Sequence, residues 1–127
     1  MIACSVLTHL SRGDQDTWLR EIRRILAPGG YFFASTHGEY AYRRTSGRRS
    51  PPLWKRLLGK AAQPLQGIED AGRDSRLDGI APPGYYRAVF QSREHTVEAC
   101  SKYFTVVDYL ECGLDGLQDL VILRRDH

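Results

Sequence analysis

The chain has 127 residues, 42% of them apolar and 26% charged, with a formal net charge of +3. Those totals fit one soluble globular domain. They exclude a transmembrane helix, since no run approaches ~18 apolar residues, and the mild charge does not by itself call for nucleic acid or an anionic membrane.

Cys4, Cys100 and Cys112 are an odd number without metal spacing, and only four histidines are scattered along the chain. No zinc or other metal site is expected, and a reduced, cytoplasmic compartment is the default. The first ten residues carry no basic n-region, which argues against a secretory leader.

Residues 1–6 read as a short buried strand. Ser11-Arg12-Gly13-Asp14 breaks that pattern and offers a helix start, with Asp14 and Asp16 complementing the helix dipole. Trp18, Ile22, Ile25 and Leu26 recur at helical spacing and predict one apolar face. Pro28 ends the helix, and Gly29-Gly30 permits a tight turn. Tyr31 to Thr36 is a strand covered on both sides, parallel to the first by a right-handed crossover.

Residues 39–84 form an insert of different character, expected to be a long loop or lid. Arg43, Arg44, Arg48, Arg49, Lys55, Arg56 and Lys60 lie where no acid falls between Glu39 and Glu69. Pro51-Pro52 introduces a short helix expected over Leu53–Leu58. Order returns at Tyr85, with a short extended piece over Tyr86–Phe90. Ser92 caps a helix from about Arg93 to Lys102, with Val97, Ala99 and Cys100 facing inward. Phe104 to Leu110 and Gln118 to Leu123 are strands, joined by a loop at Gly113 and Gly116, so their pairing should be antiparallel.

Ser5-Val6-Leu7-Thr8-His9-Leu10, the helix from Trp18 to Leu26, the ending Arg24-Ile25-Leu26-Ala27-Pro28-Gly29-Gly30, Thr36-His37-Gly38, and Phe104 with Gln118-Asp119-Leu120 together resemble a class I S-adenosylmethionine-dependent methyltransferase. The resemblance covers nearly the whole chain except the insert. It implies an α/β fold: a partial Rossmann-like sheet made of that family's strands four to seven, the last antiparallel beside the fifth, with flanking helices. Residues 1–127 would then be a single partial domain with a basic insert at about 39–84. The family's glycine-rich turn after its first strand, and the acidic residue for the cofactor ribose, have no counterpart here. The implied activity is methyl transfer from S-adenosylmethionine to a small-molecule acceptor, with weak or absent cofactor binding by this chain alone.

The resemblance also implies site residues. Ser5, Val6 and His9 should border the cofactor at the carboxyl end of the first strand. His37, after the second strand, could serve as general base to the acceptor. Tyr85, Tyr86 and Arg87 could line the acceptor pocket. Each has a plainer alternative: a loop histidine satisfied by backbone groups for His9, a surface histidine for His37, edge packing for the tyrosines. Gln118-Asp119 reads as structural, capping or pairing at the hairpin.

A different class of function is a non-catalytic module that binds acidic partners through the basic 43–60 segment, including Arg43, Arg44, Arg48 and Arg49. No nucleic-acid module is recognisable, which argues against RNA or DNA. The outer edge of strand 1–6 should be unpaired. Self-association there, or completion by another chain, is expected.

Overall fold

The structure, a computed structural model, describes residues 1–46, 64–74, 79–80, 82 and 86–127. Arg48, Arg49, Lys55, Arg56, Lys60, the helix expected over Leu53–Leu58, and Tyr85 lie outside the described residues.

The chain opens with β1, Ile2–Ala3, and a 3-10 turn, Leu7–His9. The buried six-residue strand expected over 1–6 is a correction: Met1 and Ile2 are exposed, and Ser5 leaves extended geometry at φ 56°. β1 forms an edge of its sheet, so its outward residues meet solvent. Helix α1, Arg12–Ile25, begins where Ser11 Oγ accepts from the Asp14 amide at 3.3 Å and donates to its carboxylate at 2.7 Å. This reciprocal cap satisfies a backbone donor that the first turn cannot pair.

Gln15, Leu19 and Ile22 form the inner face of α1. Trp18 and Ile25, expected there, are instead 47% and 52% exposed. At 100° per residue they lie on one flank, away from Asp16 and Arg23, which bond Tyr103 on the far side. The Arg125 guanidinium closes the other end of α1 by donating to the carbonyls of Leu26 and Arg24.

Gly29, at φ 75°, turns the chain into β2, Tyr31–Thr36. β1 pairs parallel to β2, as the crossover requires. Strands β5, Thr105–Leu114, and β6, Gln118–Arg124, form the expected antiparallel hairpin. β6 also pairs antiparallel with β2, in the register Ala34↔Val121 and Thr36↔Asp119. The sheet order is therefore β1-β2-β6-β5. Phe32, Ala34, Val121 and Leu123 have no exposed surface, and Leu19, Ile22, Cys100 and Phe104 complete the core.

The insert is not only a loop. It holds α2, Glu39–Ser46, and β3, Ile68–Arg73. β3 pairs with β4, Arg87–Gln91, as a small second sheet. Both additions escape apolar periodicity because they are mostly polar; Ala41 and Leu65 are the buried anchors there. β4 joins the end of β2 through a parallel bridge at His37 and Phe90, with the Gln91 amide on the His37 carbonyl at 2.8 Å. Helix α3, Arg93–Ser101, is capped by Ser92 as expected. Thr96, rather than Ala99, is its second fully covered residue beside Cys100.

Gly113 is a further correction. It lies inside β5 at an irregularity between Leu110 and Leu114, and the turn itself is at Asp115 and Gly116, both with positive φ.

Gly38 shows how tightly the end of β2 is built. A Cβ there would run into Asp119 Oδ2. Gly38→Ala is therefore expected to cost about 1–3 kcal/mol in urea unfolding, the usual range for overpacking a filled site. An unchanged midpoint would contradict this packing.

Candidate functional site

The carboxyl ends of β1 and β2 adjoin, and the candidate site is built from the segments that leave them. Ser5 is half-buried and holds φ 56°, a backbone region disfavoured for residues other than glycine. Its amide donates to Ser35 Oγ at 2.8 Å, Ser35 Oγ donates to Gln118 Oε1 at 2.7 Å, and Gln118 Nε2 returns a hydrogen bond to Ser5 Oγ at 2.7 Å. Three strand ends are thus tied by one closed ring of hydrogen bonds.

Val6 is the residue before the 3-10 turn. The turn is held from below by buried Gln15, whose Nε2 donates to the carbonyls of Leu7 and Leu10 at 3.0 and 3.2 Å. That grip presents His9 toward β4, where its Nδ1 lies 2.9 Å from the Arg87 carbonyl. A carbonyl only accepts, so Nδ1 carries a proton and donates it here. One of the two His9 ring nitrogens is thus engaged by a backbone group.

His37 and Tyr86 complete the group. The His9 and His37 ring centroids are 6.4 Å apart, and His9 meets Tyr86 edge-on at 5.6 Å. His37 stacks on Phe90 at 5.4 Å. The structure thus brings together His9, His37 and Tyr86, while Val6, in the same turn as His9, packs against the main core. Arg87 is engaged with Asp70 at 2.5 Å, so its charge is already partnered. Among the described residues, no group of three or more His, Cys, Asp or Glu could hold a metal ion.

Sequence reasoning passed over Ser35 and Gln15, and read Gln118-Asp119 as hairpin structure alone. Asp119 is buried, accepting from the Tyr109 hydroxyl at 2.5 Å and the Cys112 amide at 2.9 Å. Its carboxylate lies against Gly38, where α2 begins and a negative charge is favoured. Burial, and then the hydrogen bond to Asp119, push the Tyr109 hydroxyl far above the usual phenol range. Two polar residues opening an otherwise apolar strand were the signal available in the sequence.

A separate cavity of about 420 Å³ lies between α1 and α3, lined by Arg12, Gln15, Asp16, His95, Glu98 and Lys102 among others. It is on the helical layer, not at the histidine group. Burial, reinforced by Arg12 and Lys102 and opposed by Glu98, depresses the His95 pKa below 6.5. The unfolded chain then takes up this proton first, so stability is fully present above pH 6.5 and falls as pH drops toward the folded-state value. His95→Gln is expected to flatten that acid-side slope in urea unfolding measured from pH 7 downward. An identical slope in the variant would contradict the assignment.

No protein-family model matches the chain, and no curated protein matches it. Among solved structures, it resembles the glycopeptide N-methyltransferase MtfA complexed with sinefungin, with a TM-score of 0.54 and 19% identity. The match covers 96% of this chain and 51% of MtfA, so the chain spans about half that protein's length. At this identity the likeness is one of fold: the described α/β arrangement is methyltransferase-like. No helix among the described residues is long and apolar enough to cross a membrane.

Proposed function

We propose that this chain carries the acceptor-side part of a class I S-adenosylmethionine-dependent methyltransferase domain acting on a small molecule. In this reading β1, β2, β5 and β6 correspond to the family's strands four, five, six and seven. The observation that carries it is the sheet order β1-β2-β6-β5, with β1 and β2 parallel and the last strand antiparallel beside β2. The fold likeness to MtfA, which is complexed with sinefungin, an analogue of S-adenosylmethionine, supports the same cofactor class.

The residues present fit that cofactor in part. Ser5, Val6 and His9 stand at the carboxyl end of β1, the place where open α/β sheets take their ligands. The sequence has no glycine-rich turn after a first strand and no matching ribose carboxylate, so these residues would border the cofactor without gripping its nucleotide. S-adenosylmethionine, when bound, supplies an electrophilic methyl group. The chain's part is to align the acceptor and to accept its proton where one must leave. His37 is the group assigned to that proton, at the carboxyl end of β2. Tyr86, and Tyr85 next to it in sequence, are assigned to the acceptor side. A reduced, cytoplasmic setting is part of the same reading, since the cysteines are an odd number without metal spacing.

Backbone NMR during titration with millimolar sinefungin tests this reading. Shifts at Ser5, Val6 and His9 are expected, and calorimetry on the same sample should find no low-micromolar binding. Shifts confined to the cavity between α1 and α3, or tight binding by this chain alone, would contradict it.

A further inference from the structure

The cavity of about 420 Å³ between α1 and α3 lies apart from the histidine group, and the proposed methyl transfer makes no use of it. Arg12, Gln15, Asp16 and Leu19 line it from α1, at the spacing of one helix face. His95, Glu98, Ala99 and Lys102 repeat that spacing along α3 and just past its end. Leu19 is buried and Ala99 half-buried, whereas Arg12, Glu98 and Lys102 are exposed, so an apolar floor lies beneath a charged rim. Gln15 is 4% exposed, and its Nε2 is spent on the carbonyls of Leu7 and Leu10. Its Oε1 accepts from no described residue and is the polar atom left to face the cavity. Arg12 and Asp16, like Glu98 and Lys102, stand four residues apart, where opposite charges on a helix can meet. Glu39 and Arg43 do so at 2.7 Å. Among the described residues neither pair at the cavity closes into an ion pair. Asp16 instead accepts from the Tyr103 hydroxyl at 3.0 Å through Oδ1.

We propose that this cavity is a second, non-catalytic binding site, and that it takes a small zwitterion: an ammonium and a carboxylate on a short hydrocarbon frame, as in a free amino acid. The Gln15 Oε1 and the Asp16 carboxylate only accept, so they suit the ammonium. Arg12 suits the carboxylate, because its planar guanidinium matches two adjacent oxygens. Leu19 and Ala99 offer the hydrocarbon its contact. The charges around the cavity cancel, Arg12 and Lys102 against Asp16 and Glu98. A ligand of both signs therefore meets a partner for each, whereas a simple anion or a simple cation would also face like charge. Burial holds His95 below its ordinary pKa, so at pH 7 it adds no charge to this balance. The volume falls within the range of about 300–1,000 Å³ usual for small-molecule pockets.

Norleucine, hexanoate and pentylamine share one hydrocarbon chain and differ in their charged ends, so they serve as probes on the intact chain at pH 7. In backbone NMR, millimolar norleucine is expected to shift the Asp16, His95 and Ala99 amides. Hexanoate, which lacks the ammonium, and pentylamine, which lacks the carboxylate, should each bind about tenfold more weakly, the effect of losing one hydrogen bond to a charged group. Arg12→Gln should weaken norleucine and hexanoate about tenfold and leave pentylamine unchanged. Asp16→Asn keeps an acceptor for the Tyr103 hydroxyl; it should weaken norleucine and pentylamine and leave hexanoate unchanged. Opposite selectivity in the two variants is a result that misfolding would not give. Equal binding of the three probes, or a loss in either variant that is the same for all three, would overturn the proposal. So would norleucine shifts at Ser5, Val6 and His9 with none at the cavity, or no norleucine shift at all.

Discussion

β6 sits between β2 and β5 and hydrogen-bonds to both, and every other feature of the site depends on that seat. Val121 and Leu123 on its inner face are fully covered. Each such side chain contributes about 1.5–3 kcal/mol when removed from water. The same register carries two polar residues, Gln118 and Asp119, to the carboxyl end of β2. Side chains alternate along a strand, so a slip of one position would turn Val121 outward and Asp119 away from Gly38. Burial of the apolar pair thus fixes the polar pair.

The two polar residues serve different ends. Asp119 stays inside, its carboxylate accepting hydrogen bonds from Tyr109 and Cys112, and packs where α2 starts. Gln118 reaches across to Ser5 and Ser35 and ties β6 to both parallel strands. Above them, β4 joins β2 through His37 and receives His9 through the Arg87 carbonyl. A histidine held by a backbone acceptor, a second histidine stacked on an aromatic ring, and a tyrosine edge make a compact polar group at the strand ends. This is the chemistry that a methyl acceptor would meet under the proposed function.

Much of the fold was legible because its elements announce themselves locally. Ser11 and Ser92 cap helices, Gly29 takes a left-handed turn, and Tyr31–Thr36 is apolar enough to be a central strand. What the sequence misstated depends on neighbours. Residues 1–6 looked buried because they are apolar, yet β1 is an edge and only Ala3 of its pair is covered. Trp18 has the helical spacing of a core residue but sits on the flank away from α3. α2 and β3 lack apolar periodicity and are held by a few anchors and by hydrogen bonds, including the Leu65 amide on Glu39 Oε2 at 2.8 Å. The site was half-legible for the same reason. His9 and His37 stand out by chemistry, whereas Ser35 and Gln118 matter only through a pairing 83 residues apart.

The most direct test is the register of β6, measured by backbone cross-strand NOEs in the labelled chain. Val121 is expected to contact both Ala34 and Tyr109, with Asp119 opposite Thr36. Val121 in contact with Tyr109 but not with β2, or a β2 pairing shifted by one residue, would contradict the seat of β6 on which the site depends.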